Sequence, residues 1–155
     1  MNNYFSNLSD KLKKIDELKS EDEKQIQASV LVKKVIDDHK LWDEDKYWHP
    51  SEKDGFSIFT VCEEGDRSLC LVVQSWLPGR GTLPHTHGTW AVIGGVAGIE
   101  ENNFYAEIND INQEKIDLVP TGTATCAFGD TIKMKPNEIH AFKNITNEVN
   151  LSVAF

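Results

Sequence analysis

The sequence predicts a mainly β domain, a sandwich or barrel, behind two N-terminal α-helices. Three observations predict it. The first forty residues contain no Gly or Pro, and their apolar residues recur at helical spacing. Beyond Trp42-Asp-Glu-Asp45 the pattern changes to short apolar runs. Gly, Pro, Asn and Asp separate those runs at the density of a β-rich fold.

Leu8, Leu12, Ile15 and Leu18 mark a first short helix. Ser20-Glu-Asp-Glu23 is a capping box, since a Ser three residues before a Glu can satisfy free amide groups at a helix start. Ile26, Val30, Leu31, Val35 and Ile36 follow as the apolar stripe of a second helix, with His39 near its end, where a cationic ring is favourable. The two helices are expected to cover one side of another layer. Phe56 to Val61 reads as a strand. Leu69 to Leu77 is almost continuously apolar, as in a strand buried on both faces, and Pro78-Gly-Arg-Gly81 ends it. Thr89 to Val96 and Asn103 to Ile108 are further strands, with turns at Asn109-Asp110 and Pro120-Thr-Gly122. Ile132 and Met134 alternate with polar neighbours, as do Val149, Leu151, Val153 and Phe155. The chain, 1–155, reads as one domain, a helical leader over 1–41 and a β-barrel over 55–155.

Sixteen Lys and Arg against twenty-five Asp and Glu leave a net charge of −9 over 155 residues. That argues against nucleic acid or an anionic membrane as partner, since both call for a cationic face. No apolar run approaches the ~18 residues of a membrane helix. The N-terminus lacks a basic patch followed by an apolar stretch, so a cytoplasmic protein is expected. Monomer and homo-oligomer both remain open. Cys62, Cys70 and Cys126 are odd in number and show no C-x-x-C, so they read as small buried hydrophobes. Cys62 and Cys70 flank a turn and would lie opposite each other on a hairpin.

The chemistry concentrates in Pro84-His85-Thr-His87-Gly-Thr-Trp-Ala-Val-Ile-Gly94. On a strand, His85 and His87 would share a face, with Cα atoms roughly 6.5 Å apart, close enough to converge on one metal ion. His140, opening a later strand, is the candidate third ligand. The frame around them is specific. Gly79 lies six residues before His85, Gly129 eleven before His140, and Asn144 four after it. His49, like His39, carries the plainer reading of a structural residue.

These spacings resemble the two motifs of the cupin superfamily, small barrels that hold a metal between strands. The segment from His85 to Gly94, with Trp76 to Pro84 before it and Asn103-Phe-Tyr105 after it, is similar to the cysteine dioxygenase-like branch, especially its bacterial members. The resemblance covers roughly residues 55 to 155. It implies a double-stranded β-helix with two helices before it, and one Fe(II) per chain held by His85, His87 and His140. It also implies oxidation of a small thiol, cysteine or a mercapto acid, by O2 to a sulfinic acid. The sequence supports the three-His set independently, because the position where many cupins carry a Glu ligand is Ala91. Imidazoles accept Zn, Ni or Mn as well. The alternatives are therefore a cupin lyase or isomerase using one of those metals, or a non-catalytic ligand-binding cupin.

Animal members of that branch carry a Cys–Tyr thioether beside the iron; residues 88–98 here contain no Cys, as is common in bacterial members. The Arg that holds the substrate carboxylate falls at Phe59, leaving Arg80, in the loop entering the metal segment, to reach the pocket rim. Arg67 sits in the expected hairpin turn. Phe142 shares the face of His140 and is placed as a pocket wall, whereas Trp90 should face away. Aromatics such as Trp76, Trp90, Phe59 and Phe142 also read as plain core. The family's late His falls near Ala154 and its Tyr lies past Phe155. A truncated chain or a shortened variant is expected, with an apolar strand edge left open.

Overall fold

The computed structural model describes residues 2–65, 69–108 and 117–155. Helix α1 (Asn2–Asp16) leads to helix α2 (Glu21–Ile36), whose start is capped by Ser20 accepting from the Glu23 amide. The buried side of α2 is turned from the expected stripe. Ile26 and Val30 are exposed, and Gln25, Ala28, Leu31, Val32, Val35 and Ile36 are buried. Gln25 belongs inside because its amide donates to the Met134 carbonyl at 2.7 Å, which ties the helix to a sheet edge. His39 does not close α2. The chain turns at Asp37, and His39 opens a short helix α3 (His39–Trp42), followed by a 3-10 turn over Asp45–Trp48. Trp42 and Tyr47 in this stretch join the core, and the Trp42 indole donates to the Ile36 carbonyl at 2.9 Å.

Eight strands follow: β1 (Phe56–Glu63), β2 (Cys70–Trp76), β3 (Ala91–Ala97), β4 (Glu100–Ile108), β5 (Asp117–Cys126), β6 (Thr131–Met134), β7 (Ile139–Asn144) and β8 (Asn150–Ala154). They form two antiparallel sheets, one in the order β1-β2-β8-β3-β6 and one in the order β5-β4-β7. Side chains alternate across the larger sheet and build two cores. Leu71, Val73, Val92, Val96, Leu151 and Val153 pack outward against α1 and α2. Val72, Ala91, Ile93, Ile132, Met134 and Ala154 face the other way and meet Phe104 of the smaller sheet. This two-sided burial accounts for the near-continuous apolar run of β2. Gly94 lets the helix come down on the sheet, because a Cβ there would overlap the Val32 and Ile36 side chains.

Three local expectations are corrected. Pro120-Thr-Gly122 is no turn: it lies inside β5, where the pairing with β4 slips at Phe104/Tyr105. Because β5 is a sheet edge, its Pro need not give up a ladder bond, and the slip absorbs the extra residue. Cys62 and Cys70 are not opposite each other. Cys62 pairs with Leu71 and Glu63 with Cys70, after a register shift in β1, so the two thiols project to opposite faces. No disulfide forms among the cysteines. The last strand is no open edge, since β8 lies between β2 and β3 and Ala154 pairs with both Val72 and Ile93. The Asn109-Asp110 turn and Arg67 fall outside the described residues. Among those described, no helix is long and apolar enough to cross a membrane.

Candidate metal centre

His85 and His87 were expected on a strand. They lie instead on the extended link between β2 and β3, and a pair of backbone bonds does the strand's work. The His85 amide donates to the His140 carbonyl at 2.9 Å, and the His140 amide donates back at 3.0 Å. The link is held further along as well. The Thr82 amide donates to the Phe142 carbonyl, and the Gly88 amide to the Pro136 carbonyl. Gly81 is required where the link crosses β7, because a Cβ there would overlap the Phe142 carbonyl oxygen. Asn144 of the sequence frame is buried. Its side chain donates to the Trp76 and Glu148 carbonyls and accepts from Thr146, locking the end of β7 to β2.

These ties bring His85, His87 and His140 together, with one ring nitrogen of each within 4.8 Å of the others. The His85 and His87 rings stack at 5.3 Å between centroids, and His140 stands 4.6 Å from His85 and 5.0 Å from His87. His85 Nδ1 lies 2.9 Å from the Leu83 carbonyl, and His140 Nδ1 lies 3.0 Å from Asn102 Oδ1. Both partners are oxygens that only accept, so both Nδ1 atoms carry a proton, and in the neutral ring that leaves Nε2 as the atom with a free lone pair. His87 Nε2 is 3.0 Å from His140 Nε2. Two ligands at right angles on a metal, each about 2.1 Å away, sit about that far apart.

Electrostatics favours the neutral rings that a metal needs. Burial lowers the pKa of His140 to about 4, with His85 and His87 adding to the shift. Burial also lowers the pKa of His87, with His85 contributing. Ala91 carries no ligand atom, and among the described residues the cluster contains no acid. The donor set therefore fits one divalent transition metal, held by three neutral nitrogens.

Of the three residues considered for substrate contact, two lie near the site and one does not. Phe142 is buried on the His140 face of β7 and meets Trp76 edge-on at 4.7 Å. Arg80 is exposed and lies across Gly55, at the side of a cavity of about 450 Å³ that also contains Phe56, Trp76, Thr82 and His85. Phe59 points toward the helices, edge-on to Tyr47 at 5.2 Å. Trp90 packs against Phe155 on that same outer side.

Sequence reasoning missed Asn102 and Glu100. Both lie on β4, two residues apart, and the Asn102 amide donates to Glu100 Oε1 at 2.8 Å. Burial pushes the Glu100 carboxyl above its ordinary range, offset in part by Asn102 and Ser152. It also pushes the Cys126 thiol up to about 12, helped by the charges of Glu100 and Asp130. The available signal was the alternation Glu100, Asn102, Phe104, one face of a strand whose start the sequence placed three residues too late.

No protein-family model matches the chain, and no curated protein matches it in sequence. Solved structures do match. The Cnp3 cupin domain of Schizosaccharomyces pombe is 12% identical, with a TM-score of 0.50 over 64% of this chain and 58% of that one. A structure of Drosophila melanogaster CENP-C bound to CAL1 is 12% identical, at 0.50 over 66% and 70%. An oxalate oxidase is 15% identical, at 0.50 over 67% of this chain and about half, 51%, of its own length. The fold is that of the cupins, and its His cluster could hold a metal ion.

Proposed function

We infer that the protein is a non-haem iron dioxygenase that converts a small thiol to its sulfinic acid. The observation that carries this reading is the cluster of three imidazoles with no carboxylate among the described residues. Such a ligand set leaves the ion's charge at +2, which favours an anionic thiolate, and leaves coordination positions free. The resemblance of His85 to Gly94 to cysteine dioxygenase-like cupins supports the same chemistry. Bound Fe(II), one per chain, would supply a common binding point for thiolate and O2 and carry electrons between them. The reaction balances as R–SH + O2 → R–SO2H, with both oxygen atoms ending on sulfur.

The chain's own residues do the rest. His85, His87 and His140 present their Nε2 atoms as ligands, with any proton shared between His87 and His140 displaced by the metal. Phe104 covers the His140 ring at 6.3 Å, and Trp76 with Phe142 forms an apolar wall between β2 and β7. Arg80 pairs with an anionic group at the far end of the substrate, which favours a mercapto acid over an amine thiol.

Oxygen uptake by Fe(II)-loaded protein tests this against cysteine, 3-mercaptopropionate, mercaptosuccinate and cysteamine. Uptake with one thiol, a sulfinate product and loss on chelation are expected. Absence of uptake with all four, in protein shown to hold one iron, overturns the reading. A second reading rests on the donor set, which suits Zn, Ni or Mn equally: a lyase or isomerase whose turnover is independent of O2.

A further inference from the structure

We propose that Glu100 is a positioning residue of the His cluster: through Asn102 it holds His140 in the form protonated at Nδ1, with Nε2 bare. The proposal rests on the metal-centre reading for its purpose, but not for its geometry. Glu100, Asn102 and His140 are 1%, 0% and 1% exposed, so no solvent stands in for a lost partner. The bonds run in one direction. Asn102 Nδ2 donates to Glu100 Oε1 at 2.8 Å, and Asn102 Oδ1 accepts from His140 Nδ1 at 3.0 Å.

An amide has one end that donates and one that accepts, and it can turn over. What decides its orientation here is the oxygen of Glu100. With that oxygen in place, the amide nitrogen turns to it and the amide oxygen to His140. The ring must then donate from Nδ1, and its lone pair lies at Nε2, 3.0 Å from His87 Nε2. Replace Glu100 with an apolar side chain and nothing holds the amide. Turned over, it would donate to Nδ1 and move the ring proton to Nε2, closing the third ligand. The strands supply the alignment. Glu100 and Asn102 share one face of β4, and Asn102 is diagonal to His140, which pairs with Phe104.

The test reads the tautomer directly, in metal-free protein, by long-range nitrogen–proton correlation of the imidazole rings. His140 in the natural chain is expected to show a protonated Nδ1 and an unprotonated Nε2. Glu100→Gln, which keeps an acceptor oxygen, should preserve that pattern. Glu100→Met should shift it toward Nε2 protonation and weaken Zn(II) binding by about tenfold or more, measured by competition with a chromophoric chelator. A natural chain with His140 protonated at Nε2 overturns the proposal. So does a folded Glu100→Met protein with unchanged tautomer and Zn(II) affinity, or a tautomer change as large in Glu100→Gln. If Glu100→Met does not fold, the natural chain and Glu100→Gln still decide. Failure of the dioxygenase reading leaves all of these tautomer outcomes intact, so the two can fail separately.

Discussion

His140 donates from Nδ1 to Oδ1 of Asn102 across 3.0 Å, between adjacent strands and out of reach of solvent. That bond leaves the other ring nitrogen facing His87. Replacing Asn102 by Leu removes the acceptor at similar volume. Metal affinity is expected to fall by about 10–100-fold, as for other groups that orient a ligating His. Chelator competition measures it, and unchanged affinity in folded protein would show that the ring is oriented by its backbone alone. His87→Ala and His140→Ala should abolish stoichiometric metal binding outright, as read by metal analysis of the purified proteins.

Acid should destabilise the metal-free protein through the same ring. The His140 pKa falls from 6.5 to about 4 on folding, because burial penalises the charged form. Between those values the unfolded chain binds a proton that the folded chain refuses. Stability is therefore complete above about pH 6.5 and lost as pH falls toward 4, at about 1.4 kcal/mol per pH unit for one such site. His87 adds a shift of the same sign. Glu100 works in the other direction, since its carboxyl is held above the ordinary range. Glu100→Gln should therefore steepen the acid slope in urea denaturation, and His140→Gln should flatten it. Equal slopes in all three proteins would contradict this assignment.

The parts legible in the sequence were those written in local chemistry. An H-x-H with a third His in a fixed frame marks the cluster, and Gly, Pro and apolar runs mark the strands. Elsewhere, tertiary position outweighed local chemistry. Pro120 and Gly122 carry a turn signature, yet they sit in an edge strand that tolerates both. Ile26 and Val30 fit a helical stripe, but the buried side of α2 is set by where Gln25 and Val32 meet the sheet. Distance along the chain puts Phe59 at a pocket position, but its orientation depends on which face of β1 the helices cover. Glu100 and Asn102 are polar residues in a β-region, which alone suggests solvent. Only the barrel puts their shared face inside.

Gly94 tests the contact between the helices and the barrel. A methyl group there would meet Val32 and Ile36 in a packed interior. Gly94→Ala is expected to cost about 1–3 kcal/mol through overpacking. The urea midpoint should fall with an unchanged slope, and Zn(II) affinity should stay near that of the natural chain because the His cluster lies on the other side of the sheet. A midpoint equal to that of the natural chain would mean that α2 shifts freely over the sheet.

Arg80 is expected to separate the candidate substrates by charge. It lies exposed beside the cavity that contains His85, and no ion pair engages it among the described residues. A carboxylate on the substrate would give its guanidinium a two-pronged partner, which an ammonium group cannot do, and Asp54 in the same lining is the group an ammonium would seek instead. Arg80→Gln keeps most of the length and removes the charge. For 3-mercaptopropionate, KM should rise by about tenfold with kcat little changed, since the lost contact is the same in ground and transition states. For cysteamine, KM should stay the same or fall. Parallel changes for the two thiols would place Arg80 outside the substrate's reach, and would return the choice between mercapto acid and amine thiol to the residues around Phe142.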